Sequence, residues 1–319
     1  MDVVSAAALL SFVLSSFCQP SAPAPVPAAA VQPTEPPPFV PAPTSAAARA
    51  PVLPIHAVSV FAGVHRVAAL PPLPAPLSGH EVAHYRIRYG ILGGLGEARL
   101  YVEDVRMDGE RRLVAARGWG QGSLLGFGRM EKKVETALDS GALTPRRWTS
   151  SRKKDGKDIT VSGDQPAAGQ VAITRREGTN APSSSELRLA EPALDPVGLL
   201  LRLRVTPPAP GALLALNVFD GGNLWRVFLR GAGSDALPSG DSTTTRALRF
   251  DGRAEPVSWS GQPDPGRTAR SFVLWLSSDD THMPLRLSVP LPLGEVVAEL
   301  VASHRTPAPP QEPALSRRP

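Results

Sequence analysis

The string His80-Glu81-Val82-Ala83-His84 has the residue types and spacing of a zinc hydrolase core. On a helix, H-E-x-x-H places two imidazoles one turn apart to hold the metal, with the glutamate beside them as general base. A third ligand can be named: Glu103 lies 19 residues after His84, an offset suited to a glutamate ligand. The chemistry depends on the element that carries the string. Residues four apart stack on one face of a helix. In a strand they also share a face but sit about 13 Å apart at ~3.3 Å per residue. Two rings that far apart cannot both reach one ion at ~2.0–2.1 Å. Ser78 could cap a helix, but Gly79 is a poor early helical residue, and the residues that follow alternate as a strand. The string is therefore read as the start of a strand, with no metal assigned. A zinc-dependent hydrolase using His80, Glu81, His84 and Glu103 is the alternative.

Other candidates are weaker. Gly240-Asp241-Ser242 and Asp279-Asp280-Thr281-His282 resemble the Ser and Asp-x-x-His blocks of certain esterases. They stand in β context, without the α/β alternation such a fold requires. Asp279-Asp280 reads instead as a turn. Ser151 to Lys154 matches S-x-x-K but lies beside a hairpin turn rather than at the start of a buried helix. Gly90 to Arg99 is glycine-rich, yet it is not G-x-G-x-x-G within a βαβ unit. No catalytic residue and no cofactor is assigned.

The elements that must position these residues show period two. Tyr85, Ile87, Tyr89 and Ile91 alternate with Arg86 and Arg88, and Ala98, Leu100 and Val102 with Arg99, Tyr101 and Glu103. Such alternation marks half-buried strands. Asp-Gly recurs at 108–109, 155–156, 220–221 and 251–252. Between alternating runs it signals a hairpin, because the turn needs residues that tolerate positive φ. One segment departs from the pattern. Asp195 suits an N-cap and Pro196 the first helical position, with Leu194, Val197 and Leu201 at helical spacing, so a short helix is predicted over about 195–204. The fold class is mainly β: an antiparallel meander curled into a partly open barrel around one short helix.

Composition sets the frame. The chain has 319 residues, 36 of them proline and one cysteine, a formal charge of +5 and a pI of about 9.8. Arginines supply most of the positive charge and are scattered singly. There is no basic stripe with interleaved aromatics, so no nucleic-acid partner is expected. With Cys18 alone, no intramolecular disulfide or cysteine-based metal site can form. Val3 to Phe17 is uncharged and mostly apolar, shorter than the ~20 residues of a membrane span and suited to an export signal. A cysteine directly after it suggests lipidation at Cys18. The expected organisation is a signal over 1–18, a Pro/Ala-rich linker over 19–77, a β-rich domain over 78–303 and a tail over 304–319. At ~3.1 Å per residue, the linker reaches on the order of 150 Å when extended. A short apolar patch, Pro54 to Leu70, interrupts it.

Taken in order, the motifs resemble the bacterial exported family called domain of unknown function 3108. The matching residues are Gly79 and Glu81 with His80 between them, then Tyr85, Ile87, Tyr89 and Gly90. Asp195, Pro196 and Arg204 follow, then the Val218 to Gly221 hairpin, and finally Trp275, Leu276, Asp279, Asp280, Pro284, Gly294 and Leu300. His282 stands where the family often has arginine. The resemblance spans about 81–301. It implies a periplasmic or outer-membrane-associated location, a curled β-rich fold, and no established reaction. The expectation is an exported, non-enzymatic domain in the periplasm, tethered to the outer membrane if Cys18 is acylated. Its expected partners are cell-envelope components, with an apolar, lipid-like or lipoprotein ligand in a groove of the curled sheet.

Overall fold

A computed structural model of the chain describes residues 80–306, apart from 91–93, 109–110, 125–127, 155, 166–168, 190, 240–242 and 292–293. The expected export signal with Cys18, the linker with its apolar patch, Gly240 to Ser242 and residues 307–319 lie outside the described residues.

The first half of the domain comprises β1 (His80–Tyr89), β2 (Gly94–Asp108), β3 (Arg111–Leu124), β4 (Gly128–Asp139), β5 (Pro145–Lys154), β6 (Lys157–Asp164), β7 (Gln170–Glu177) and β8 (Ser183–Arg188). The two-residue β9 (Ala193–Leu194) leads into helix α1 (Pro196–Val205). The second half comprises β10 (Leu213–Phe219), β11 (Leu224–Ser239), β12 (Thr243–Val257), β13 (Arg270–Ser277), β14 (Pro284–Leu291) and β15 (Gly294–Thr306).

All fifteen strands form one sheet, in the order β8-β7-β6-β5-β4-β3-β2-β1-β15-β14-β13-β12-β11-β10-β9. Neighbours are antiparallel except β9 and β10. The first strand is thus central and pairs with the last, from His80 opposite Thr306 to Tyr89 opposite Val296. The two edges, β8 and β9, are consecutive in the chain, and only residues 189–192 separate them. So short a link reaches at most about 18 Å. The sheet must therefore curl until its edges approach, yet no ladder joins them. This is the partly open barrel expected from the meander.

Sheets of this many strands enclose more space than their own side chains fill. Here α1 enters that space. Asp195 is its N-cap and accepts from the Gly198 amide at 2.6 Å, and Pro196 occupies the first turn. Every residue from Pro196 to Arg204 is buried. Its apolar side chains pack with Tyr85, Leu100, Val114, Leu138, Trp225, Phe250 and Leu276 from both halves of the sheet. A second apolar cluster spans the open seam: Trp148, Val161, Val171 and Ile173 from β5–β7 meet Phe219, Leu224 and Val257 from β10–β12. Side-chain packing thus does at the seam what hydrogen bonds do elsewhere.

Two expectations are corrected. Asp251-Gly252 is not a turn; it lies inside β12, paired to β11 and β13. The glycine serves close packing instead, since a Cβ there would fall 2.3 Å from the Phe272 ring. Asp220-Gly221 does stand between β10 and β11, with Phe219 opposite Leu224, whereas Gly109 and Asp155 of the two remaining Asp-Gly pairs lie outside the described residues. β15 also runs three residues beyond the expected end at Ser303, because His304, Arg305 and Thr306 find partners in the first three residues of β1.

Candidate functional site

β1 decides the fate of the His-Glu-x-x-His string. Glu81 is buried in a row with Ala83, Tyr85 and Ile87, while His80 is exposed and His84 half-buried on the opposite face. The pairing of Glu81 with Val102 and of Tyr85 with Ala98 places Glu81 on the inner, apolar face of the sheet. The strand spacing separates the two histidines by about 13 Å, and the glutamate points away from both. His84 Nε2 lies 3.3 Å from Glu97 Oε2. Glu103 is bonded to Arg117 on the outer face. Among the described residues, no group of three or more His, Cys, Asp or Glu converges on a metal position.

What Glu81 does is structural. Arg204, in the last turn of α1, donates to it through both terminal nitrogens, Nη1 to Oε1 at 2.5 Å and Nη2 to Oε2 at 2.8 Å. The side chains are only 5% and 6% exposed. Arg204 Nε donates to the Thr281 carbonyl at 3.1 Å, and His282 Nδ1 lies 2.7 Å from the Arg204 carbonyl. The turn carrying Thr281 and His282 is built by Asp279, whose Oδ1 accepts from the Ser277 hydroxyl and from the Thr281 amide and hydroxyl. The Thr281 hydroxyl is the main cause holding the Asp279 carboxyl below its usual range, countered in part by burial. Tyr85 completes the cluster. Burial raises its phenol, the Arg204 charge opposes this, and the Glu81 charge adds to it. The Tyr85 hydroxyl is buried without a hydrogen-bond partner among the described residues. Motif residues far apart in the sequence thus meet at one point: the C-terminal end of the helix fastened to the central strand and to the β13–β14 turn.

The outer face carries a groove of about 790 Å³ across β1 to β4. Outward-facing positions of these strands line it: His80, Arg99, Tyr101, Glu103, Arg117, Trp119, Gln121, Lys133 and the carboxylates Glu97, Glu131 and Glu135. Its polar groups hold one another. Trp119 Nε1 donates to Glu131 Oε1 at 2.6 Å, Gln121 Nε2 donates to Glu97 Oε1 at 2.8 Å, and Lys133 sits 3.2 Å from Glu131. The Trp119 hydrogen bond is the main cause that lowers the Glu131 carboxyl, and Lys133 adds to it. The groove therefore presents two aromatic side chains set among fixed donors and acceptors. Of the four residues singled out for metal chemistry, His80 and Glu103 line this groove, and Glu81 borders it while its carboxylate is held by Arg204 on the inner face. Trp119 and Glu131 were not singled out by their spacing, although both fall on the outward parity of their strands.

A scan of family models matches residues 84–301 to a protein family of unknown function, DUF3108. No curated protein matches the chain. Among solved structures, a β-barrel-like protein of another unknown-function family, DUF1849, from Brucella abortus is 11% identical, with a TM-score of 0.45 over 73% of this chain and all of that one. A candidate lipoprotein from Parabacteroides distasonis is 6% identical, with a TM-score of 0.29 over 73% of this chain and 99% of that one. A candidate exported protein with a YmcC-like fold from Bacteroides fragilis is 9% identical, again with a TM-score of 0.29 over 73% and 99% of the two chains. The family match covers most of the chain, including Tyr85, Asp195, Arg204, Asp220 and Asp279, and on that ground the chain belongs to the DUF3108 family.

Proposed function

We propose that this chain is an exported, non-enzymatic binding domain of the bacterial cell envelope, and that it receives a polar, glycan-like envelope component in the outer groove over β1–β4. The observation that carries this reading is the division of labour between the two faces. The inner face is occupied by α1 and its apolar packing, whereas the outer groove holds Tyr101 and Trp119 among charged and amide side chains. Rigid aromatic surface beside a few fixed polar groups is the composition of a small-ligand site. The groove's carboxylates outnumber its cations, Arg99, Arg117 and Lys133, and this charged lining suits a hydroxyl-rich ligand better than an acyl chain. An acyl chain inside the barrel would have to share the space with a helix buried on all sides.

The envelope address rests on the apolar run before Cys18 and the proline-rich spacer. No helix among the described residues is long and apolar enough to cross a membrane. Arg86, Arg88, Arg117 and Lys133 face outward on central strands, positions that would be costly against hydrocarbon. These features fit a domain held beside a membrane rather than within it.

Calorimetric titration of the full chain with soluble peptidoglycan fragments tests the reading. Saturable binding, weakened at least tenfold by Trp119→Ala, is expected. Binding to neutral phospholipid vesicles instead, unaffected by that substitution, would sink it.

A further inference from the structure

On one side the sheet ends in β8, and this edge is open. Ser183–Arg188 pairs with β7 along its whole length without a bulge, from Ser183 opposite Arg175 to Arg188 opposite Gln170. Among the described residues no further strand pairs with it. Ser183 to Glu186 and Arg188 are exposed, and Leu187 is half-buried. The other terminal strand, β9, has no comparable edge: it is two residues long, and Ala193 and Leu194 are buried. Edge strands are commonly blunted by lysine, proline or a bulge. Between Ser183 and Arg188 there is none of these.

Hydrogen-bond parity identifies the spare backbone groups of this edge. The Leu189 amide donates to the Gly169 carbonyl at 2.8 Å, one position beyond the end of the ladder. Hydrogen-bonded pairs alternate along an antiparallel ladder, so Leu187, Ser185 and Ser183 also turn their N–H and C=O towards β7. Ser184, Glu186 and Arg188 turn theirs away from it. The Gly178 amide, which donates to the Asp158 carbonyl at 2.7 Å, fixes the matching alternation on the other side of β7. Side chains alternate too. Leu187 stands opposite buried Val171 and packs with the seam cluster on the inner face, so Glu186 and Arg188 lie on the outer face. Their neighbours across the ladder, Ala172 and Gln170, carry no charge.

We propose that β8 pairs with β8 of a second copy of this chain, antiparallel, about a two-fold axis at Leu187. In this register Glu186 of each copy stands opposite Arg188 of the other. Both residues present outward backbone groups, so each such pair exchanges both of its N–H···O bonds. The opposite charges meet on the outer face, an arrangement that stabilises paired strands. Neighbouring registers are poorer. An axis at Glu186 sets the two Glu186 carboxylates directly opposite one another, and like charges so placed repel. An axis at Ser185 faces Glu186 with Ser184 and leaves Arg188 without an opposing charge. An axis between residues sets outward groups against inward ones and forms no ladder. On the inner face the two Leu187 side chains meet at the axis, in a non-hydrogen-bonded pair, where side chains come closest. The contact is isologous and uses the open terminal edge of each sheet, so it closes at the dimer.

Sedimentation velocity of the full chain over a concentration series tests the pairing, and a concentration-dependent dimer is expected. Glu186→Pro removes an outward N–H at a position where an edge strand tolerates proline, and should weaken association at least tenfold. Glu186→Arg and Arg188→Glu each set like charges opposite one another and should weaken it as well. The two reversals combined restore opposite charges across the axis and should bring association back to near the wild-type level. Thermal melts confirm that each variant is folded, and the charge reversals decide the matter if the proline variant is not. A monomer at every concentration leaves the edge to some other occupant and overturns the proposal. So does a dimer unchanged in folded Glu186→Pro, or a double reversal that associates no more tightly than the single ones.

Discussion

The bidentate contact between Glu81 and Arg204 is the interaction whose removal should cost most. Both side chains are nearly inaccessible, at 6% and 5%, and they join residues 123 positions apart. Removing one partner leaves the other charge buried without compensation, which costs about 3–5 kcal/mol. Arg204→Met leaves the Glu81 carboxylate facing Tyr85 and apolar strands. Glu81→Met leaves a guanidinium whose one remaining described acceptor is the Thr281 carbonyl at 3.1 Å. Replacing both by methionine removes both desolvation penalties together, and buried pairs exchanged for apolar residues of similar volume are often neutral in stability. The double variant should therefore be more stable than either single one. Urea denaturation followed by far-UV circular dichroism, with linear extrapolation, measures the cycle. At a domain of this size, each single substitution should lower the melting midpoint by on the order of 10 °C. Single costs below about 1 kcal/mol, or a double variant whose cost equals the sum of the singles, would refute the placement of the pair in a dry interior.

Three further outcomes follow from buried groups. The Lys132 ammonium is lowered to about 8, first by burial, with Asp220, Arg152 and Arg175 around it; its penalty is full while the lysine is protonated in both states and fades as pH rises from about 8 to 10.5. Wild type should thus gain up to about 3 kcal/mol over that window relative to Lys132→Met, measured by urea melts at each pH. Burial raises the Asp195 carboxyl to about 6, the Gly198 amide opposing it, so stability should be greatest below about pH 4 and fall by about 3 kcal/mol as pH rises to 6. Asp195→Asn keeps a competent N-cap and should flatten that window. Gly252→Ala drives a methyl into the Phe272 ring, 2.3 Å from the Cβ position, and should cost about 1–3 kcal/mol; pairing it with Phe272→Leu should recover part of the lost melting temperature.

Local signals in the sequence anticipated what is local in the structure. Alternation at Tyr85, Ile87 and Tyr89 puts those side chains inside, and there they are, 1%, 2% and 8% exposed. Asp195-Pro196 starts the helix within one residue of where capping chemistry places it. The same alternation settles the His-Glu-x-x-His string, because a strand must send Glu81 inward and both histidines outward. What was not legible is set by partners distant in the chain. Asp251-Gly252 has the composition of a turn, but the ring of Phe272 fixes its role, and no window around residue 251 contains that ring. Glu81 reads as a catalytic base until Arg204 takes both of its oxygens. Lys132 is the intermediate case. Its row, Met130-x-Lys132-x-Val134-x-Thr136-x-Leu138, alternates as plainly as β1 does, so a cation at an inward position was visible in the sequence. Only the β4–β5 register, which sets Arg152 beside it, turns that oddity into a pair of facing cations. A polar residue on an apolar parity is therefore a stronger lead to a buried charge in this fold than a motif matched by residue types alone is to a site: the motif presumes an element, whereas the parity violation already contains one.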